Sequence, residues 1–321
     1  MIDTEAMDIA ASPVPDIVNA LAASPDFVED GVCFAARNGG LYRSQDGGHT
    51  WSAAFAALQL EAPLAATAVA VSPTFPQDRY VLVGVEGGTL RSFDGGATWS
   101  AALFPPPPPL VTTLALSPDF ANDGVVLAGT MEDGVFRSAD RGASWAAWNF
   151  GLLDLQVLAM AIAPSFATDE TLFVGTTSGL FRSTNGGRAW RDLDFPAEYA
   201  PVLSLALSPN YAHDGILFAG TEANGLFRSD DGGQSWTQLA EGVIADAVNG
   251  IVLDPQFSQT SQILVLLGTT LLWSCDGGVS WSDWRPGLNF ASGLASIAAP
   301  ERIGPAAPLL VGLIEGGVVR L

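Results

Sequence analysis

Five acidic residues, Glu86, Glu132, Asp133, Glu222 and Asp246, fall in stretches that read as loops. Carboxylates held roughly 5 to 10 Å apart are what general acid/base hydrolysis of a glycosidic bond requires. The chain has 34 Asp and Glu residues, so pairs at that separation are easily found and a pair alone decides little. His49 and His213 have no neighbour that would complete a triad or a metal site, and Cys33 and Cys275 lie outside any Cys-x-x-Cys or Cys/His cluster. No cofactor and no metal are therefore expected. What the carboxylates can do depends on the elements that hold them.

Those elements repeat. The stretches "RSQDGGHTW", "RSFDGGATW", "RSADRGASW", "RSTNGGRAW", "RSDDGGQSW" and "WSCDGGVSW" end at Trp51, Trp99, Trp145, Trp190, Trp236 and Trp281, at spacings of 45 to 48 residues. That period is one propeller blade. One unit, "LALSPDFANDGVVLAGTMEDGVFRSADRGASWAAW", breaks into four β-prone runs separated by turn chemistry, which predicts a four-stranded antiparallel blade. A first strand of the "TLALSP" type occurs seven times, while the last copy leads only to "PLLVGLIEGGVVRL".

The expected fold is therefore all-β, a seven-bladed β-propeller in a single domain spanning 1–321. Its outer closing strand for blade 7 is assigned to 1–15, with blade 1 at 16–63, blade 2 at 64–109 and blade 3 at 110–154. Blades 4, 5 and 6 take 155–200, 201–245 and 246–290, and 291–321 completes blade 7. N- and C-terminal strands in the last blade close the ring, since an unpaired edge would invite aggregation.

The nine-residue motif resembles the Asp-box, or bacterial neuraminidase repeat, Ser-x-Asp-x-Gly-x-Thr-Trp. Its acidic position is filled by Asp46, Asp94, Asp140, Asn185, Asp231 and Asp276. The resemblance covers nearly the whole chain, and implies a turn between the third and fourth strands of each blade. An Asp there accepts backbone N–H bonds, Gly supplies positive φ and Trp buries apolar area, so the motif is a fastener. Asn185 and Ala189 in the fourth copy keep the shape without the charge, which suits a structural duty. Propellers of this kind occur in sialidases, xyloglucan-degrading hydrolases, sorting receptors and photosystem II assembly and stability factors. The blade count and lack of extra domains look most like the last group and its bacterial relatives, though fold alone does not transfer function.

A sialidase-like site would need three arginines around a carboxylate. Of the 13 basic residues, all Arg, six recur at one place in the third strand: Arg43, Arg91, Arg137, Arg182, Arg228 and Arg320. Packing or ion pairing is their expected duty. Arg141 and Arg188 lie in fastener turns and Arg79 and Arg302 near first loops, leaving Arg37, Arg191 and Arg285 on blades 1, 4 and 6. The Arg-Ile-Pro signature of that family is missing. No catalytic residue is expected.

In an up-and-down blade the loops after strands one and three share a face, and those after strands two and four share the other. The first face carries the repeated fasteners and "SPDFANDG"-type loops. The second carries the segments that differ, and its candidate binding residues are Arg37, Glu86, Glu132, Asp133, Trp148, Phe150, Phe195, Tyr199, Glu222 and Trp284. Some of these apolar residues are expected to fold down over the blade ends, the rest to form a patch with an acidic rim. The five prolines Pro105–Pro109 read as a stiff connector from blade 2 to blade 3, or a ligand for another protein.

Composition bounds the partners. A formal net charge of −21 repels phosphate backbones, so nucleic acid is not expected, and an acidic rim predicts a basic protein or peptide partner. No leader or membrane-spanning run is apparent, and two cysteines make no disulfide scaffold, which points to the cytoplasm. The expectation is a non-catalytic interaction scaffold or assembly factor; the alternative is a carbohydrate-binding or glycoside-hydrolase-like propeller using the same face.

Overall fold

The computed structural model describes residues 15–196, 201–290 and 292–321. Sequence neighbours pair with each other throughout: six sheets of four antiparallel strands and a seventh of three appear among these residues, each in simple meander order. The molecule is a seven-bladed β-propeller. The outermost strand assigned to 1–15 lies, apart from Pro15, outside the described residues.

Blade 3 shows how the sequence builds one unit. Val111–Leu116 is the inner strand, Val126–Thr130 the second, Val135–Ser138 the third and Ala146–Ala147 the short outer one. The second strand reads as a continuous apolar run and is buried along its whole length, as expected for a strand covered on both faces. The first loop differs from its reading as plain loop: Phe120–Asp123 forms one helical turn, ended by Gly124 in the left-handed conformation. Equivalent turns occur in six blades, and each buries an aromatic at its start: Phe27, Phe75, Phe120, Phe166, Tyr211 and Phe257. Within the turn of blade 3, Asp123 accepts the Ser117 hydroxyl at 2.5 Å and the Val125 N–H at 2.8 Å.

Blades meet through a glycine-to-valine contact. A Cβ placed on Gly175 in the second strand of blade 4 would lie 2.6 Å from Val202 Cγ1 of blade 5. Only a residue without a side chain lets the next inner strand approach that closely. Gly312 of blade 7 faces Val18 of blade 1 with the same 2.6 Å. Ser296 also donates to the Val18 carbonyl at 2.8 Å, as Ser204 does to Val248 at 2.7 Å between blades 5 and 6. The first and last blades therefore join as consecutive blades do.

Between blades 2 and 3 the proline run bends at Pro105–Pro107, where the Pro106–Pro107 peptide is cis, rather than continuing as one polyproline II rod. It connects the two blades, and the Pro109 carbonyl accepts the Gly87 N–H at 2.9 Å.

Candidate binding surface

The turns of the repeated face are held by bonds within their own loops. In blade 3, Ser138 is buried; its hydroxyl donates to Asp140 Oδ1 at 2.6 Å and accepts the Gly142 N–H at 2.8 Å. The same carboxylate takes the Ser144 N–H at 2.9 Å and the Ser144 hydroxyl at 2.6 Å. Partial burial works upward on Asp140, but these donors outweigh it and hold the carboxyl at about 2, and Asp94 behaves alike. Asp231 and Asp276 stand at about 2 chiefly through the hydroxyls of Ser235 and Ser280, and Asp46 is held low chiefly by Thr50. Asn185 reproduces the cradle, accepting Ser183 Oγ and the Ala189 N–H at 2.9 Å each. In all six turns the Asp or Asn side chain accepts the hydroxyl of the preceding Ser within its own loop.

Each turn is also bolted to the helical loop of its own blade. The N–H of Gly47 donates to the Gly31 carbonyl at 2.9 Å, and Gly95, Arg141, Gly186, Gly232 and Gly277 repeat the bond. The third-strand arginines reach onward to the next blade: Arg228 Nη1 donates to the Gly277 carbonyl at 2.7 Å and Arg182 Nη1 to that of Gly232 at 3.3 Å. Arg320, at the end of blade 7, meets His49 Nε2 in the turn of blade 1 at 2.5 Å. Burial lowers the pKa of Arg43 and Arg137 from the ordinary guanidinium value.

The central channel holds a cavity of about 280 Å³ bordered by all seven inner strands. Its polar lining is Asn19, Thr112, Thr113, Ser204, Asn249 and Ser296, and the remainder is glycine, aliphatic residues and Met160. Among the described residues lining it there is no carboxylate, cation or aromatic ring.

On the opposite face the second-to-third-strand hairpins are stitched to the loops after fourth strands. Met131 N–H donates to the Leu110 carbonyl and Glu222 N–H to that of Pro201, both at 3.0 Å. Asp154 links blades 3 and 4, accepting the Thr177 hydroxyl at 2.8 Å, the Ser178 N–H at 2.9 Å and the Ser178 hydroxyl at 2.8 Å. Partial burial pushes its pKa up, yet these bonds and the Gln156 N–H leave it below the usual carboxylate value.

The sequence-selected residues separate into two groups. Glu86, Glu132, Glu222 and Phe150 are exposed, and Asp133 is half-buried beside them in the blade 3 hairpin. Asp246 is exposed as well. Phe195 and Trp284, chosen for the surface, are instead buried: Phe195 packs edge-on against Trp236 at 5.0 Å and Trp284 against Trp273 at 5.4 Å. Trp148 is half-buried, with the guanidinium groups of Arg137 and Arg188 at 4.4 and 5.3 Å from its ring. Tyr199 lies outside the described residues. The three arginines left for a carboxylate clamp are not brought together. Arg37 pairs with Asp16 and covers Tyr42 at 4.3 Å, Arg285 donates to the Pro305 carbonyl at 3.0 Å, and Arg191 is exposed on the outer strand of blade 4.

Two features escaped the sequence. Asp154 sits in a loop as one acid among many, and only its three donors on another blade distinguish it. A second cavity, of about 470 Å³, lies on the fastener face between the first loops of blades 6 and 7, bordered by Asp254, Gln262, Arg302 and Ile303. The departure of "PERIGPAAP" from the repeated loop was the available signal.

The architecture and the stitched face define a repeat propeller, and comparisons with known proteins place it among several kinds. No family profile and no curated protein matches the sequence. Solved structures do match in shape. A GH74 xyloglucanase from Xanthomonas campestris has a TM-score of 0.74 at 19% identity, over 96% of this chain and 52% of that one. The extracellular domain of a one component system from B. thetaiotaomicron has a TM-score of 0.71 at 15% identity, over 96% of this chain and 38% of that one. YCF48 bound to D1 peptide has a TM-score of 0.70 at 17% identity, over 96% of this chain and 94% of that one. The chain thus spans about half of the first protein, 38% of the second and nearly all of the third. At these identities the likeness establishes the fold.

Proposed function

We propose that this chain is a non-catalytic Asp-box propeller, an interaction scaffold or assembly factor, that binds a basic protein or peptide segment on the face formed by the loops after second and fourth strands. The observation that carries the reading is the chemistry of the central channel. Its Asn, Ser, Thr and aliphatic lining offers no acid/base pair and no ring for a sugar to stack on. The turn carboxylates are engaged by their own loops, whereas Glu86, Glu132 and Glu222 are among the exposed acids of the opposite face. Charge of that sign attracts a cationic segment and speeds its encounter. YCF48, which matches over nearly its full length, is a propeller seen with a bound peptide. Two free cysteines, Cys33 with its thiol pushed up to about 12 by burial and Cys275 exposed, suit a reducing compartment such as the cytoplasm.

The likeness to a xyloglucanase keeps a second reading in view, carbohydrate binding or hydrolysis on the same face. One experiment separates them. A fluorescent peptide of alternating Arg and Leu and a xyloglucan oligosaccharide are titrated against the wild type and against a Glu86→Gln, Glu132→Gln, Glu222→Gln variant. The peptide is expected to bind, more weakly as salt rises, and about threefold to tenfold more weakly to the variant, the range of a few rim charges. Release of reducing sugar, or peptide binding indifferent to all three substitutions, overturns the proposal.

A further inference from the structure

The loops after the fourth strands of blades 1 to 4 each commit an apolar residue to the next blade. Phe55 packs on Trp99 at 5.3 Å, Phe104 on Trp145 at 5.0 Å and Phe195 on Trp236 at 5.0 Å. In blade 3 the anchor is Leu152, buried in one cluster with Trp190. Here the loop carries two further large apolar residues, and both face solvent: Phe150 and Leu153 are each 81% exposed, on either side of the anchor.

A mobile loop could turn such side chains inward. This one is fixed along its length. The Phe150 carbonyl accepts the Trp190 N–H at 2.8 Å, Leu152 N–H donates to the Asn149 carbonyl at 3.0 Å, and the Leu155 carbonyl accepts the Gly134 N–H at 2.9 Å. Asn149 forks onto the blade 3 hairpin, accepting the Val135 N–H and donating to the Asp133 carbonyl, both at 2.8 Å. Asp154 ties the far side to Thr177 and Ser178 of blade 4. Exposed apolar groups held in place before binding are what an interface anchor needs, because the ordering cost is met in folding.

We propose that the segment from Phe150 to Leu155, at the junction of blades 3 and 4, is the primary docking element of the molecule, with Phe150 and Leu153 entering a cationic segment of a partner protein. The inference rests on the peptide-binding reading above and names its anchor. The charge around the anchor selects the occupant. Exposed Glu132 and half-buried Asp133 flank it through the Asn149 fork, and on the blade 4 side exposed Asp192 and Asp194 outnumber Arg191. The nearer guanidinium groups, Arg137 and Arg188, are turned onto Trp148. A second copy of the chain would bring a net charge of −21 against the same charge, whereas an Arg- or Lys-bearing segment with a large apolar residue complements both features.

The test is selection of a displayed random-peptide library on the wild-type protein, followed by titration of the enriched peptides against a Phe150→Ser, Leu153→Ser variant. Both side chains are exposed, so the variant keeps the core. Enriched peptides are expected to carry net positive charge and an apolar residue, and to bind the variant at least tenfold more weakly. Peptides that bind the variant unchanged but lose affinity when Glu86 and Glu222 become Gln remove the docking element and leave the binding face standing. A selection that enriches no peptide removes both. Wild type that sediments as a dimer, with the variant monomeric, assigns the element to a second copy and overturns the proposal.

Discussion

Ser138 shows how much of the fold rests on single side chains. Its hydroxyl is the acceptor for the buried Gly142 N–H at 2.8 Å while it donates to Asp140 at 2.6 Å. Removing it leaves a buried donor unpaired, a loss of about 1–3 kcal/mol, whereas Ser144 on the exposed side of the same carboxylate can be replaced by water. Ser138→Ala is therefore expected to lower the free energy of urea unfolding by that amount and Ser144→Ala by clearly less; equal effects would show that the buried bond is not what matters. The turn itself was legible in sequence because the motif recurs. The surface residues were less so, for a physical reason. Phe150 and Phe195 occupy similar loops with similar hydropathy, and what separates them is side-chain packing on the ring of the next blade's Trp, which the local sequence does not encode.

At the scale of elements, the four strands of a blade could be read from alternating β-prone runs and turn residues, and the period of the motif carried the seven-bladed architecture. The helical turn in the first loop was not legible, since four residues give too little periodicity to register, although Asp123 and the following Gly124 are a helix-ending pair. How blades touch was also hidden: the second-strand glycine reads as a weak point of a strand until the facing valine of the next blade is seen. Adding a methyl group there forces two packed strands apart, at about 1–3 kcal/mol. Gly175→Ala, between blades 4 and 5, and Gly312→Ala, between blades 7 and 1, have the same 2.6 Å approach to valine and should lower the melting temperature alike. A silent Gly312→Ala beside a damaging Gly175→Ala would mean that the ring is not closed through that contact in solution.

Over the whole molecule, the fasteners act as one titrating set. Asp94, Asp140, Asp231 and Asp276 have folded values of about 2, and Asp46 is held lower still. An Asp in the unfolded chain titrates near about 3.9. The folded protein therefore binds fewer protons than the unfolded one around and between these values, so the contribution of the turns is complete above about pH 5 and is lost as pH falls toward 2. Most of these carboxylates are solvent-exposed, which keeps each contribution small, but five of six turns titrate in one window and neighbouring blades are tied through arginines and inner strands. The chain carries only three ion pairs among its described residues, so few other paired carboxylates share the transition. Urea midpoints should stay level from pH 6 to about 5 and then fall as a single cooperative transition down to pH 2.5. Restoring a carboxylate in blade 4 with Asn185→Asp, together with Ala189→Ser to supply its hydroxyl donor, should steepen that fall by adding a sixth titrating turn. A fall that begins well above pH 5, or one that the paired substitution leaves unchanged, would place the acid sensitivity outside the turns.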